Sequence, residues 1–217
     1  MRRRHFTNVL IVLSVLVGHA LCQVGKKQPL AADTTPTTRP AAAPDQAQKP
    51  KPCPQVERLL RAFEGTWAIN EEIAPDSTLP KGATGKGMIV WRPGPGGFSV
   101  VEDYKSKQGA REVTGLGVFW GDESAGGYHS IWCDSTNPGG CISFKNVARW
   151  EGTQLVLVED YKTNGKQFTF KEVFGDIAPG TFTQTLFGGE IGGELKVDQT
   201  IHARKLAGAA AGVQPRM

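Results

Sequence analysis

Two glutamates occupy the same place in a repeated pentapeptide. Val-Glu-Asp-Tyr-Lys occurs at 101–105 and again at 158–162, so Glu102 and Glu159 each close an apolar run, GGFSVVEDYK and QLVLVEDYK. A carboxyl on an apolar strand is costly to bury unless it is paired, hydrated or protonated. It either holds strands in register through hydrogen bonds or anchors a ligand. Such a ligand would be hydroxylated or cationic, because carboxylates repel an acidic one. Further on, Trp132, Asp134 and Ser135 set an acid and a hydroxyl at a strand end, with neither His129 nor His202 placed beside them by the sequence. With a histidine nearby these would make a nucleophile–base pair. The run Asp-Ser-Thr-Asn-Pro-Gly-Gly is, however, one whose side chains bond local backbone in a turn. No G-x-S-x-G elbow accompanies it, so the turn reading is preferred and no catalytic residue is assigned.

Metal and cofactor chemistry find little support. Glu71-Glu72, Asp122-Glu123 and Glu102-Asp103 are adjacent pairs that point to opposite faces of a strand. They read as solvated edges rather than a cation site, and there is no Cys-x-x-Cys. Cys133 and Cys141 instead flank a turn-rich loop, a spacing that suits a disulfide across a hairpin mouth. Cys53 is left without a partner.

The elements that must carry these residues are mostly strands. Val56, Leu59, Leu60 and Phe63 share one helical face in QVERLLRAFE before Gly65 stops it. Thereafter strands are expected near 66–73, 84–91, 98–104, 110–120, 127–133, 141–150, 154–161, 167–174, 181–187 and 195–206. Turn signals separate them throughout. About ten strands joined by short hairpins predict an all-β, antiparallel up-and-down barrel with a short N-terminal helix. A two-sheet β-sandwich is the alternative.

Asn164-Gly165 allows a register to be written, since Asn-Gly is the strongest two-residue hairpin signal. Tyr161 then faces Phe168, Glu159 faces Phe170, Leu157 faces Glu172 and Leu155 faces Phe174. The aromatic and leucine face must be the interior, so Glu159 and Glu172 point inward while Asp160 points out. In the first copy Phe98, Val100, Glu102 and Tyr104 share one phase. A three-residue Lys-Gln-Gly loop sets Tyr104 opposite Glu112, which places Glu102 and Glu112 inside and Asp103 outside.

The chain ends have a different character. MRRRHFTN followed by VLIVLSVLVGHAL is a basic region and a short apolar core, as in an export signal cleaved after Ala20 or Cys22. Residues 23–54 are rich in Pro, Ala and Thr and read as a disordered tether; 207–217 read as a disordered tail. One domain is expected over 55–206. The net charge of +4 falls to +1 once Arg2, Arg3 and Arg4 leave. Residues 54–206 hold sixteen basic and nineteen acidic residues, a net −3. That balance argues against a nucleic-acid partner, and no membrane span remains after signal cleavage. A protein partner is left open.

LLRAFEGTW, with Leu60, Phe63, Gly65 and Trp67, resembles the helix-to-first-strand entry of lipocalin-like (calycin) barrels. In those, the Gly-x-Trp tryptophan closes the floor. GGFSVVEDY, GLGVFWGDESAGGYHSIWCDS, LVEDYKTNGKQFTFKEV and DQTIHARK resemble, more narrowly, a bacterial exported domain-of-unknown-function family of that superfamily. The likeness covers roughly 58–205 and departs at Trp120, at Lys171 and at the cysteine pair. It implies the fold and export to the periplasm or outside, and no reaction. Some small barrels of this kind hold haem through a histidine, but alternation turns His129 and His202 outward.

The reading is therefore a noncatalytic exported barrel that binds a small amphipathic ligand without a cofactor. The aromatic walls would be Trp67, Trp91, Tyr104, Trp132, Tyr161 and Phe168, together with Phe170. Glu102, Glu112, Glu159 and Glu172 would be polar anchors. A filled barrel acting as a structural or interaction module is the alternative, and a haem barrel a weaker one.

Overall fold

A run of Val, Ile, Phe and Trp at alternate positions leaves each strand one apolar face, and eleven strands hide those faces on one another. The computed structural model describes residues 51–207 except 77, 78 and 164. The residues read as an export signal, nearly all of those read as tether and tail, and Asn164 lie outside the described residues. The elements run α1 (Pro54–Phe63), β1 (Gly65–Ile73), β2 (Ala83–Pro93), β3 (Ser99–Gln108), β4 (Arg111–Asp122) and β5 (Gly127–Asp134). Then come β6 (Cys141–Ser143), β7 (Arg149–Glu151), β8 (Gln154–Thr163), β9 (Lys166–Ala178), β10 (Thr181–Glu190) and β11 (Lys196–Lys205).

All pairings are antiparallel, in the order β6-β5-β4-β3-β2-β1-β11-β10-β9-β8-β7. Each strand pairs with its sequence neighbours except β6 and β7, which lie at opposite ends of the sheet, and β1 also pairs with β11. This is the up-and-down arrangement expected from the short hairpins. The two ends of the curled sheet meet at a Tyr128–Ala148 bridge, with N···O distances of 2.9 and 2.8 Å.

The junction corrects one expectation. The single strand over 141–150 is two short strands, broken at 144–148. The Asn146 backbone N–H and Nδ2 turn to β8, donating to Glu159 Oε2 at 2.9 Å and to the Val158 carbonyl at 2.8 Å. The segment keeps β5 bonds at its ends, from the Phe144 N–H to the Ser130 carbonyl and through the Tyr128–Ala148 bridge, while its middle turns to β8. Cys133 and Cys141 are bridged, as their spacing suggests, and sit in register as β5 meets β6.

The second hairpin has the expected register at every pair, from Leu155↔Phe174 to Thr163↔Lys166. Gly165, at φ 78°, supplies the left-handed conformation of its turn. The first hairpin does not. Gln108 pairs with Arg111, so its loop is the two residues Gly109-Ala110 and Tyr104 faces Gly115. A shift of three residues turns every side chain of β4 to the opposite face from the one expected. Glu112 therefore lies outside, exposed, in an ion pair with Lys105 at 2.8 Å. Phe98 also departs: it is exposed, just past a 3-10 turn at Pro95–Gly97.

α1 seals one end of the barrel. Pro54 opens it at a position that needs no N–H, and Val56, Leu59 and Phe63 are its buried face. Phe63 is fully buried and stacks on Trp91 at 5.0 Å, with the edges of Phe174 at 5.3 Å and Phe182 at 5.2 Å. The chain enters β1 directly, and Trp67 Nε1 donates to the Phe63 carbonyl at 2.6 Å. Cys53, assigned to the tether by composition, is instead the N-cap residue of α1 and packs against the core.

Truncating Phe63 removes the centre of this aromatic floor. Phe63→Ala is expected to cost roughly 3–5 kcal/mol in urea unfolding. Phe98→Ala, at an exposed ring, should change stability by less than about 0.5 kcal/mol. Equal effects at the two sites would contradict the assigned floor.

Candidate functional site

Following each strand upward from the floor, the inward side chains change character. On β3 they run Val100, Glu102, Tyr104, Ser106, Gln108, all buried. On β8 they are Leu155, Leu157 and Glu159, with Tyr161 at the rim. On β9 they are Phe174, then Glu172, Phe170 and Phe168. The lower positions are closed off from solvent. Higher up, Trp132, Phe144, Phe170, Glu172 and Leu186 are turned inward yet only part-buried. This inward surface that still meets water is the open upper interior, the cup, above an aromatic floor. Phe144 and Phe170 stack across it at 5.8 Å, and Tyr161 stacks on Phe168 at 5.7 Å.

Trp67 and Trp91, expected as ligand walls, belong to the sealed floor: both are fully buried. Glu112 leaves the site altogether. The remaining sequence-selected residues Glu102, Tyr104, Trp132, Glu159, Tyr161, Phe170 and Glu172 do turn inward, with Tyr161 the most exposed. Asp103 and Asp160 turn out, where Asp103 accepts from Arg92 Nε at 2.8 Å and Asp160 from Thr169 Oγ1 at 2.6 Å. Neither histidine reaches the interior. His129 stacks on Trp120 and meets Asp122 at 2.9 Å, and His202 is exposed opposite Asn70 and Thr183. Asp134, the acid of the earlier nucleophile–base reading, spends its oxygens on Trp132 Nε1 at 2.9 Å and on the N–H of Thr136 at 2.7 Å. That is a turn.

The four interior glutamates divide into two kinds. Glu71, read as part of a solvated edge, is buried and fully engaged. The Tyr104 hydroxyl donates to its Oε1, while Ser106 Oγ at 2.5 Å and Gln108 Nε2 at 3.2 Å donate to its Oε2. Gly85 makes this possible, because a β-carbon there would collide with the carboxylate. Burial, then the hydrogen bond to Glu71, push the Tyr104 hydroxyl well above its usual range. Glu159 is engaged too, clamping the Asn146 N–H at the broken strand.

Glu102 and Glu172 are different. Glu102 is 2% exposed and its Oε1 has no hydrogen-bond partner. It lies opposite Gly117, whose missing side chain leaves room for the carboxyl. Burial first, and the nearby Glu172 and Asp103 charges next, raise it well above the ordinary carboxylate range. Glu102 therefore holds its proton more tightly than an exposed acid does. Glu172 accepts from Gln184 Nε2 at 2.7 Å, and its burial outweighs that bond, pushing it up to about 7. The ion pairs among the described residues all lie elsewhere, so no cation neutralises either group.

Gln184, Ser130 and Glu71 were missed as site residues. The signal was present: Glu71 continues the phase of Trp67 and Ile69, and Gln184 that of Phe182. Among the described residues no His/Cys/Asp/Glu group is arranged to hold a metal ion.

The fold and the site define an antiparallel β-barrel with a sealed aromatic floor and an open, acid-bearing cup. No family model matches the chain, and no curated protein matches it. Among solved structures it is similar to a redesigned β-barrel, mFAP1, bound to DFHBI. Identity there is 13%, with 67% of this chain and 99% of that chain covered at a TM-score of 0.36. A second, EF1p2_mFAP2b bound to DFHBI, is 11% identical, with 70% and 98% covered and a TM-score of 0.36. The fold assignment rests on the strand order and register above rather than on these likenesses.

Glu172 binds its proton more tightly in the folded chain, near pH 7, than at its ordinary value of 4.5. Its contribution to stability is therefore complete below about pH 4.5 and is lost as the pH rises through 7. Glu172→Gln should raise stability at pH 8 by roughly 2–3 kcal/mol relative to the parent, and by far less at pH 4.5. A pH-independent difference in urea midpoints would contradict the buried, raised carboxyl.

Proposed function

We propose that this protein is an exported barrel of the lipocalin-like kind that takes a small amphipathic ligand into the cup, without catalysing a reaction on it. The observation that carries the reading is the solvent access kept by inward-facing Trp132, Phe144, Phe170, Leu186 and Glu172 above a floor that keeps none. Small-molecule sites are concave and mainly apolar, with a few polar groups that set orientation. Here the aromatic rings supply the apolar wall, and Glu172 with Gln184 supply the polar end. The resemblance of the N-terminal residues to a cleaved signal supports export.

The rival with an observation behind it is a structural module, since the lower barrel is filled by side chains. Native mass spectrometry on protein from its own host, with Nile red titration of the stripped protein, separates the two. The ligand reading expects a retained small molecule and saturable dye binding that Phe170→Ala weakens about tenfold, a change of about 1.4 kcal/mol. Protein that carries nothing and leaves the dye unbound would refute it in favour of the filled module.

A further inference from the structure

Three buried oxygens of the interior lack a hydrogen-bond partner: Glu102 Oε1, Ser130 Oγ and Gln184 Oε1, on residues 2%, 2% and 6% exposed. A buried polar atom left unpaired is costly, so three together call for an external group. Against them stands one unpartnered donor in the same region, Trp91 Nε1, on the residue that pairs with Glu102 across β2 and β3. Ser130 reaches the same region because β4 presents Gly117 between Glu102 and Trp132. Gln184 joins it through its bond to Glu172. Gln184 Oε1 can only accept, Ser130 Oγ can accept or donate, and among the described residues no ion pair reaches this ring-walled region.

We infer that the cup, on the ligand-binding reading above, is built for a small organic ammonium ion, a protonated primary or secondary amine on an apolar or aromatic body. Such a head group brings two or three N–H donors, which Gln184 Oε1, Ser130 Oγ and the Glu172 carboxyl can accept. It neutralises Glu172, which forms no ion pair among the described residues. The faces of Trp132 and Phe170 attract it further, because aromatic quadrupoles favour cations. An alcohol offers one donor and no charge. A carboxylate would bring one more acid into an interior that already holds Glu71, Glu102, Glu159 and Glu172.

Three probes with one body make the test: 4-phenylbutylamine, 4-phenylbutan-1-ol and 4-phenylbutyrate, titrated calorimetrically into the full chain at about pH 8. The amine should bind at least about tenfold more tightly than the alcohol, with the carboxylate weakest. Glu172→Gln should bring amine and alcohol within about threefold by weakening the amine alone. An alcohol or carboxylate that binds as well as the amine overturns the ammonium assignment while leaving the cup in place. An amine preference untouched by Glu172→Gln overturns it as well. Failure of all three probes and of Nile red overturns the cup itself.

Discussion

Four carboxyls are turned into the barrel, and among the described residues none forms an ion pair. That single constraint organises the interior. Burying an ionised carboxylate without compensation is prohibitive, so each group is hydrogen-bonded, protonated or left facing water. Glu71 takes the first route through Tyr104, Ser106 and Gln108, and Glu159 takes it through the Asn146 backbone. Glu102 is drawn toward the second, its pKa raised well above the ordinary carboxylate range. Glu172 stands between the second and third, deep among protein atoms yet with part of its surface open to the cup.

The two engaged glutamates are architectural. Glu71 ties β1 to β3 across the intervening β2, over the gap left by Gly85. Glu159 holds the broken segment 144–148 against β8, so the Tyr128–Ala148 bridge can join the ends of the sheet. The repeated pentapeptide thus has one geometry and two uses. Both copies place Glu inward and Asp outward, but Glu159 stitches the barrel whereas Glu102 stays unpaired above the floor.

What could be read from the chain depended on how tightly each turn is specified. Asn164-Gly165 permits one loop length, and every pair of the second hairpin followed from it. Lys107-Gln108-Gly109-Ala110 permits more than one, and choosing three residues instead of two sent Glu112 to the wrong face. The break at 144–148 left no Gly or Pro in its sequence, so 141–150 looked continuous. Glu71 was overlooked because it was judged with its neighbour Glu72 as a pair, although alternation from Trp67 already turned it inward. The floor was half legible. Trp67 and Phe63 announced a closed end, but that Trp91 joins them, and so leaves the ligand wall, depends on how α1 packs, which no local pattern encodes.

An interior that raises the pKa of its uncompensated carboxyls is the central requirement, and carbon-13 NMR titration of the glutamate side chains measures it directly. Glu172 should titrate with a midpoint near 7, while Glu102 titrates well above and exposed Glu112 below its ordinary value. If Glu102 and Glu172 both titrated near 4.5 like exposed acids, the interior would be wet throughout, and the sealed floor, the cup and its acidic end would all have to be abandoned.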